Sequence, residues 1–162
     1  MKKIFLIVIG LIILSGCTLG NTPTSRVEAL FSDYQMLNDN IDISYTYLTI
    51  DPNLDNNIIN RYEKVIEKQY RGFSYEIKDE EIDGDTAVVT VQVEVMNYKS
   101  AIDKYDKGDY EIAKYHYLVL NELEKTREMV TYTLEITLTK NNDDWVVDDL
   151  SIENRDKLLG IY

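Results

Sequence analysis

The chain predicts an α+β fold in which helices come first and an antiparallel sheet follows. Three observations carry this. Apolar residues recur at helical spacing in the first third of the chain, the period changes to two at Phe73, and two long period-two runs, Ala87–Val95 and Val130–Leu138, lie near turn-forming residues. Strands segregated from helices, without regular βαβ alternation, place the chain in the α+β class.

The first helix is announced by its start signals. Pro23 suits a first helical position, and Ser25 followed by Glu28 has the spacing of a capping box. Val27, Leu30, Phe31, Tyr34 and Leu37 then fall on one face. Ile41 to Ile50, with Tyr45 and Leu48, is rich in β-branched residues, and helix and strand both fit it. Leu54 to Tyr70 puts Ile58, Ile59, Tyr62, Ile66 and Tyr70 on one stripe and Arg61, Lys64, Glu67 and Lys68 on the other side. That separation predicts a helix with one buried face.

The strands follow. Phe73, Tyr75 and Ile77 alternate with Ser74, Glu76 and Lys78, which marks a half-buried strand, and Asp83-Gly84-Asp85 turns the chain. The next strand sets Ala87, Val89, Val91, Val93 and Val95 against Thr90, Gln92 and Glu94. Ala101 to Arg127 interrupts the meander as a mostly helical insertion, with Asp106-Lys107-Gly108-Asp109 as its turn and Ile112, Ala113, Tyr117, Leu120 and Leu123 near helical spacing. Alternation returns with Val130, Tyr132, Leu134, Ile136 and Leu138. Asn141 to Asp144 turns into a fourth strand at Trp145-Val146-Val147, and Ile152 to Gly160 forms a closing helix begun at Ser151. No fixed-period repeat or low-complexity segment interrupts this order.

The 162 residues are one domain's worth of chain, and 44% hydrophobic content is enough for one core. Seventeen Lys+Arg against 29 Asp+Glu give a net charge of -12. A body of that sign repels nucleic acid, so no nucleic-acid partner is expected.

Residues 1–16 have the three parts of an export signal: Lys2 and Lys3, an apolar run from Ile4 to Leu14, and the small residues Ser15 and Gly16. At about 1.5 Å per residue the apolar run spans far less than the roughly 30 Å of a bilayer core. An uncleaved signal anchor, or a secretory signal with a chance cysteine behind it, is the alternative to what comes next. Leu14-Ser15-Gly16-Cys17 resembles the lipobox of bacterial lipoproteins. That resemblance implies diacylglyceryl transfer to the Cys17 sulfur, acyl chains of the palmitate type, and cleavage before Cys17. The membrane partner is then reached through a lipid anchor at Cys17, on the outer face of the cell membrane. Two acyl chains hold a protein stably where one is marginal. Cys17 is the only cysteine, so no internal disulfide competes for its thiol. Loss of residues 1–16 removes two lysines and leaves 15 basic against 29 acidic side chains, a net charge of -14. The expected organisation is residues 1–16 as signal peptide, 17–24 as lipidated N-terminus and tether, and 25–162 as the domain.

The order of helices, hairpin, helical insertion and second hairpin resembles the NTF2-like, or cystatin-like, fold, in which N-terminal helices pack in the cone of a curved antiparallel sheet. The segments "KQYRGFSYEIKDEEIDGDTAVVTVQVEVMNYKSAI" and "VTYTLEITLTKNNDDWVVDDLS" are similar to a family of lipoproteins from low-GC Gram-positive bacteria. The I-D-G-D turn and the terminal Trp strand carry that likeness. It implies location and architecture, and brings no activity with it.

Catalytic chemistry finds little support in the residues. His116, the only histidine, lies in "YHYL" without a partner placed beside it, and reads as a packed or surface helix residue. Tyr105, Tyr110, Tyr115 and Tyr117 cluster around it, as core or interface rings or as an aromatic ligand wall. The acidic groups Asp79-Glu80-Glu81, Asp83, Asp85, Asp143-Asp144 and Asp148-Asp149, and the stretch Asp103 to Glu111, do not match a calcium loop and read as solvated carboxylates. No phosphate loop, zinc spacing or nucleophile elbow is present in the sequence. No catalytic, metal or cofactor-binding residue is therefore assigned, and Cys17, as lipidation site, is the one functional position. The expected function is a non-catalytic, lipid-anchored interaction domain with a protein partner. The alternative is an NTF2-like pocket domain that binds or transforms a small molecule.

Overall fold

The computed structural model describes residues 20–38 and 54–162. Cys17 and the segment Ile41–Ile50 lie outside the described residues. Within them the chain forms α1 (Pro23–Met36), α2 (Asn56–Gly72), β1 (Ser74–Asp83), β2 (Thr86–Met96), α3 (Tyr98–Ile102), a 3-10 turn (Lys107–Asp109), α4 (Ile112–Lys125), β3 (Met129–Asn141), β4 (Asp144–Val147) and α5 (Ile152–Leu159). Among the described residues the architecture is α+β, with five α-helices and an open four-stranded antiparallel sheet of order β1-β2-β3-β4. The helical insertion falls between β2 and β3.

The sheet register follows from the side-chain pattern, because a one-residue slip would turn the valines toward water. Val89 pairs with Ile136 and Val91 with Leu134, and all four are at most 1% exposed. Helices α1, α2 and α5 all touch β2 and cover that face. Val27 and Phe31 of α1, Tyr62, Val65 and Ile66 of α2, and Leu158 and Leu159 of α5 enter the same core. Phe31 packs its ring against Phe73 at 5.5 Å and Tyr75 at 4.8 Å. The opposite face carries Thr131, Thr133, Thr137 and Thr139 in the open.

Several local details differ from the sequence reading. Helix α1 is capped by Thr22, whose hydroxyl accepts from the Ser25 backbone while Ser25 accepts from the Thr22 N–H, each at 3.1 Å. The box thus runs from Thr22 to Ser25 rather than from Ser25 to Glu28. Strand β1 bulges at Lys78, where the register jumps between Ile77 and Asp79. The bulge reverses the alternation, so that Glu80 and Ile82, instead of Asp79 and Glu81, sit opposite core residues Val89 and Ala87. The insertion begins at Tyr98, ahead of Ala101, and Tyr98 is itself 1% exposed. Helix α4 buries His116, Val119, Leu120 and Leu123, whereas Ile112, Ala113 and Tyr117 face outward. On that buried face His116 meets Tyr62 of α2.

At one end of the sheet Gln69, wholly buried, reaches from α2 to the last residue of β2. Its Nε2 donates to the Met96 carbonyl at 3.1 Å and its Oε1 accepts from the Met96 N–H at 3.0 Å. The amide satisfies both backbone groups where the strand leaves the sheet. Gly160 closes against the same place, and the Lys99 N–H donates to its carbonyl at 2.7 Å. At the other end the Lys140 N–H donates to the Asp85 carbonyl at 2.8 Å, which holds the two hairpin turns side by side.

Candidate functional site

The described groups nearest to a chemical site are those of the α2–α4 seam. The Tyr62 hydroxyl lies 2.8 Å from Nδ1 of His116, and both side chains are 1% exposed. Their rings meet edge to face at 5.7 Å, and Tyr115 stands half-buried against the other side of the imidazole at 5.2 Å. Burial pushes the Tyr62 hydroxyl far above its ordinary pKa, with Tyr115 adding to the effect. Tyr62 therefore stays protonated at neutral pH. The bond ties α2 to α4 inside the core, and both side chains are too deeply buried to offer a substrate an exposed atom. His116 is thus a packed histidine with an orienting partner that the sequence left unplaced.

The four neighbouring tyrosines do not form one wall. Tyr105 and Tyr110 contact each other at 6.1 Å, Tyr115 joins His116, and Tyr117 lies exposed with the Arg61 guanidinium 5.3 Å from its ring centre. Arg61 locks the outer rim of the seam by a two-pronged bond to Glu124, at 2.8 and 2.9 Å, and a 2.9 Å bond to Asn121. The bond to Arg61 holds the Glu124 carboxyl below its ordinary range. A second pair across the insertion, Lys104 with Glu122 at 2.6 Å, lowers the Glu122 carboxyl in the same way.

The acidic groups are dispersed among structural tasks. Glu80 accepts from the Thr24 N–H at 2.8 Å and its hydroxyl at 2.6 Å, placing a carboxylate at the N-terminal turn of α1, where the helix dipole favours it. Asp106 accepts from the Gly108 N–H at 2.8 Å in the insertion turn, and Asp144 pairs with Arg26 at 3.1 Å. Among the described residues no three His, Cys, Asp or Glu side chains converge on a point where a metal ion could sit. Nor is any described helix long and apolar enough to cross a membrane.

Two clefts are lined by described residues. One lies over the outer sheet face between Glu76, Gln92, Glu94 and Thr131. The other runs along the last turns of α2, bordered by Lys64, Glu67, Lys68 and Arg71 and floored by Met96. Burial, and then Arg127, lowers the Lys68 pKa there. The free edge of β3 is closed to an added strand. Asn154 donates to the Glu135 carbonyl at 2.8 Å, Lys157 to that of Thr133 at 3.0 Å, and the Asp148 N–H to that of Thr137 at 3.0 Å. The β1 edge is guarded by its bulge and by Lys78, Asp79 and Glu81.

The class defined by this geometry is an α+β domain whose helices cover one face of a four-stranded antiparallel meander. No family model, curated protein or solved structure matches the chain. Sequence reasoning missed Gln69, Glu80 and the Arg61–Glu124 bond. Gln69 alone carried a signal, a polar residue four positions after Val65 on the apolar side of α2.

Proposed function

We propose that the chain is an exported lipoprotein, held through Cys17 on the outer face of the cytoplasmic membrane, whose acidic domain is a non-catalytic interaction module of NTF2-like build with a protein partner. The observation that carries the reading is the unbroken order of Lys2-Lys3, the apolar run Ile4–Leu14, and Leu14-Ser15-Gly16-Cys17. The packing of the described residues supports the second half. His116 is buried against Tyr62, and the described space between helices and sheet is occupied by side chains such as Phe31, Val91, Leu120 and Leu134, each wholly buried. The helical insertion between the hairpins supports the NTF2-like build.

An alkyne fatty acid fed to cells is expected to label the wild-type protein, and Cys17→Ser is expected to lose both the label and membrane retention. Label persisting in the variant would overturn the anchor. Cross-linking of the anchored protein in intact cells is expected to capture a macromolecule above the level of a Val91→Asp control. Equal capture by the two would overturn the interaction role.

A further inference from the structure

We infer that the protein stands on the membrane on its two hairpin turns, Gly84-Asp85 and Asn142-Asp143, with the root of the helical insertion at the far end. This orientation rests on the acylation of Cys17 proposed above. It follows from how little chain separates that residue from the folded body.

Asn21 is built into the β3–β4 turn. Its Nδ2 donates to the Asp143 carbonyl and its Oδ1 accepts from the Trp145 N–H at 3.1 Å. Arg26 adds an ion pair to Asp144 at 3.1 Å, and Thr24 is bonded to Glu80 of β1. Both hairpins therefore fix the start of the fold. Four residue steps lead from Cys17 to Asn21, and at about 3.6 Å each they span at most roughly 14 Å. The turn at Asp143 touches Asn21, and the turn at Asp85 is bonded to it through Lys140. The leash thus keeps Asn21 within roughly 14 Å of the headgroup region, and the two turns lie beside it.

The far end is set by the sheet. Met96 and Met129 pair at the root of the insertion, ten residue steps along β2 from Thr86. At about 3.3 Å per step the root lies roughly 33 Å from the turns. A body of net charge -14 is repelled by anionic lipid, and since the leash holds the turns down, repulsion acts to lift the remainder. The partner of the turn end is the bilayer surface. Among the described residues, α3 and the last turns of α2 lie at the end away from the bilayer.

The test installs the tether chemically. The chain from Cys17 onward, coupled through its single thiol to a maleimide lipid in anionic nanodiscs that carry a gadolinium-chelate lipid, is observed by amide resonance broadening. The amides of Gly84 and Asn142 are expected to broaden severalfold more than those of Gly72 and Ala101. Equal broadening, or the reverse order, overturns the orientation. Twelve Gly/Ser residues inserted between Leu19 and Gly20 are expected to shrink the difference, and an unchanged difference overturns the leash as its cause. Because coupling replaces cellular acylation, these failures are distinct from a loss of fatty-acid label in cells, which overturns the anchor itself.

Discussion

Replacing Gly160 with alanine tests how the core closes at the insertion end. Gly160 has φ +72°, and a Cβ there would stand 2.0 Å from the Met96 carbonyl oxygen and 2.7 Å from Nε2 of Gln69. The left-handed conformation costs alanine about 1 kcal/mol. Relief of the overlap adds about 1–3 kcal/mol, since the obstacle is backbone of a sheet strand. Any movement there also disturbs the buried Gln69–Met96 pair, at about 1 kcal/mol or more. The total is roughly 3–5 kcal/mol, or a fall in Tm of roughly 6–20 °C for a domain of this size. Gly84 supplies the control, because it has φ +59° with nothing within 4 Å of an added Cβ. Gly84→Ala is expected to cost only the conformational part, about 1 kcal/mol. Urea unfolding followed by the fluorescence of the single, buried Trp145 measures both. Equal losses in the two variants would refute the close approach of α5 to the end of β2.

Other substitutions probe separate parts of the fold. Val91→Asp places an unpaired charge on the wholly buried face of β2 and is expected to abolish cooperative thermal unfolding, while an unchanged melt would refute the sheet register. Glu80→Ala removes the carboxylate bonded to Thr24 in the first turn of α1 and is expected to cost about 1–2 kcal/mol in urea, whereas a loss below a few tenths would refute that role. Burial pushes the Tyr98 hydroxyl up to about 12 and Tyr62 higher still, against about 10 when unfolded. The folded state holds these protons more tightly, so this stability is fully present below pH 10 and is lost as pH rises toward 12, at up to about 1.4 kcal/mol per pH unit for each group. Tyr98→Phe is expected to reduce that slope in urea titrations between pH 9 and 11.5, and an identical slope would refute the assignment.

The sheet was legible because its periodicity is local. The valines of β2 and the Leu134, Ile136 and Leu138 run of β3 repeat every second residue, and the register follows once one face is buried. Ser151 was legible as the start of α5 for a similar reason, since a cap acts within three residues, and its hydroxyl accepts from the Asn154 N–H at 3.1 Å. The buried face of α4 was not, because Ile112 and Tyr117 are as apolar as the residues that won. The buried face is the one on which His116 meets Tyr62, 54 positions away in the chain, and Val119, Leu120 and Leu123 enter the core. The β1 bulge likewise depends on tertiary partners. The run Lys78-Asp79-Glu80-Glu81 gives no periodic cue, and only Thr24 at the start of α1 explains why Glu80 turns inward. The pairing of Gln69 with Met96 spans 27 positions and leaves only a polar residue on an apolar stripe as its trace.

The anchor at Cys17 is the claim on which location, orientation and partner all depend. Its most direct test is the mass of the N-terminal peptide of the protein extracted from membranes. The expected species begins at Cys17 and carries a diacylglyceryl group on sulfur, with no trace of residues 1–16. A peptide that begins elsewhere, or one in which Cys17 keeps a free thiol, would contradict the account.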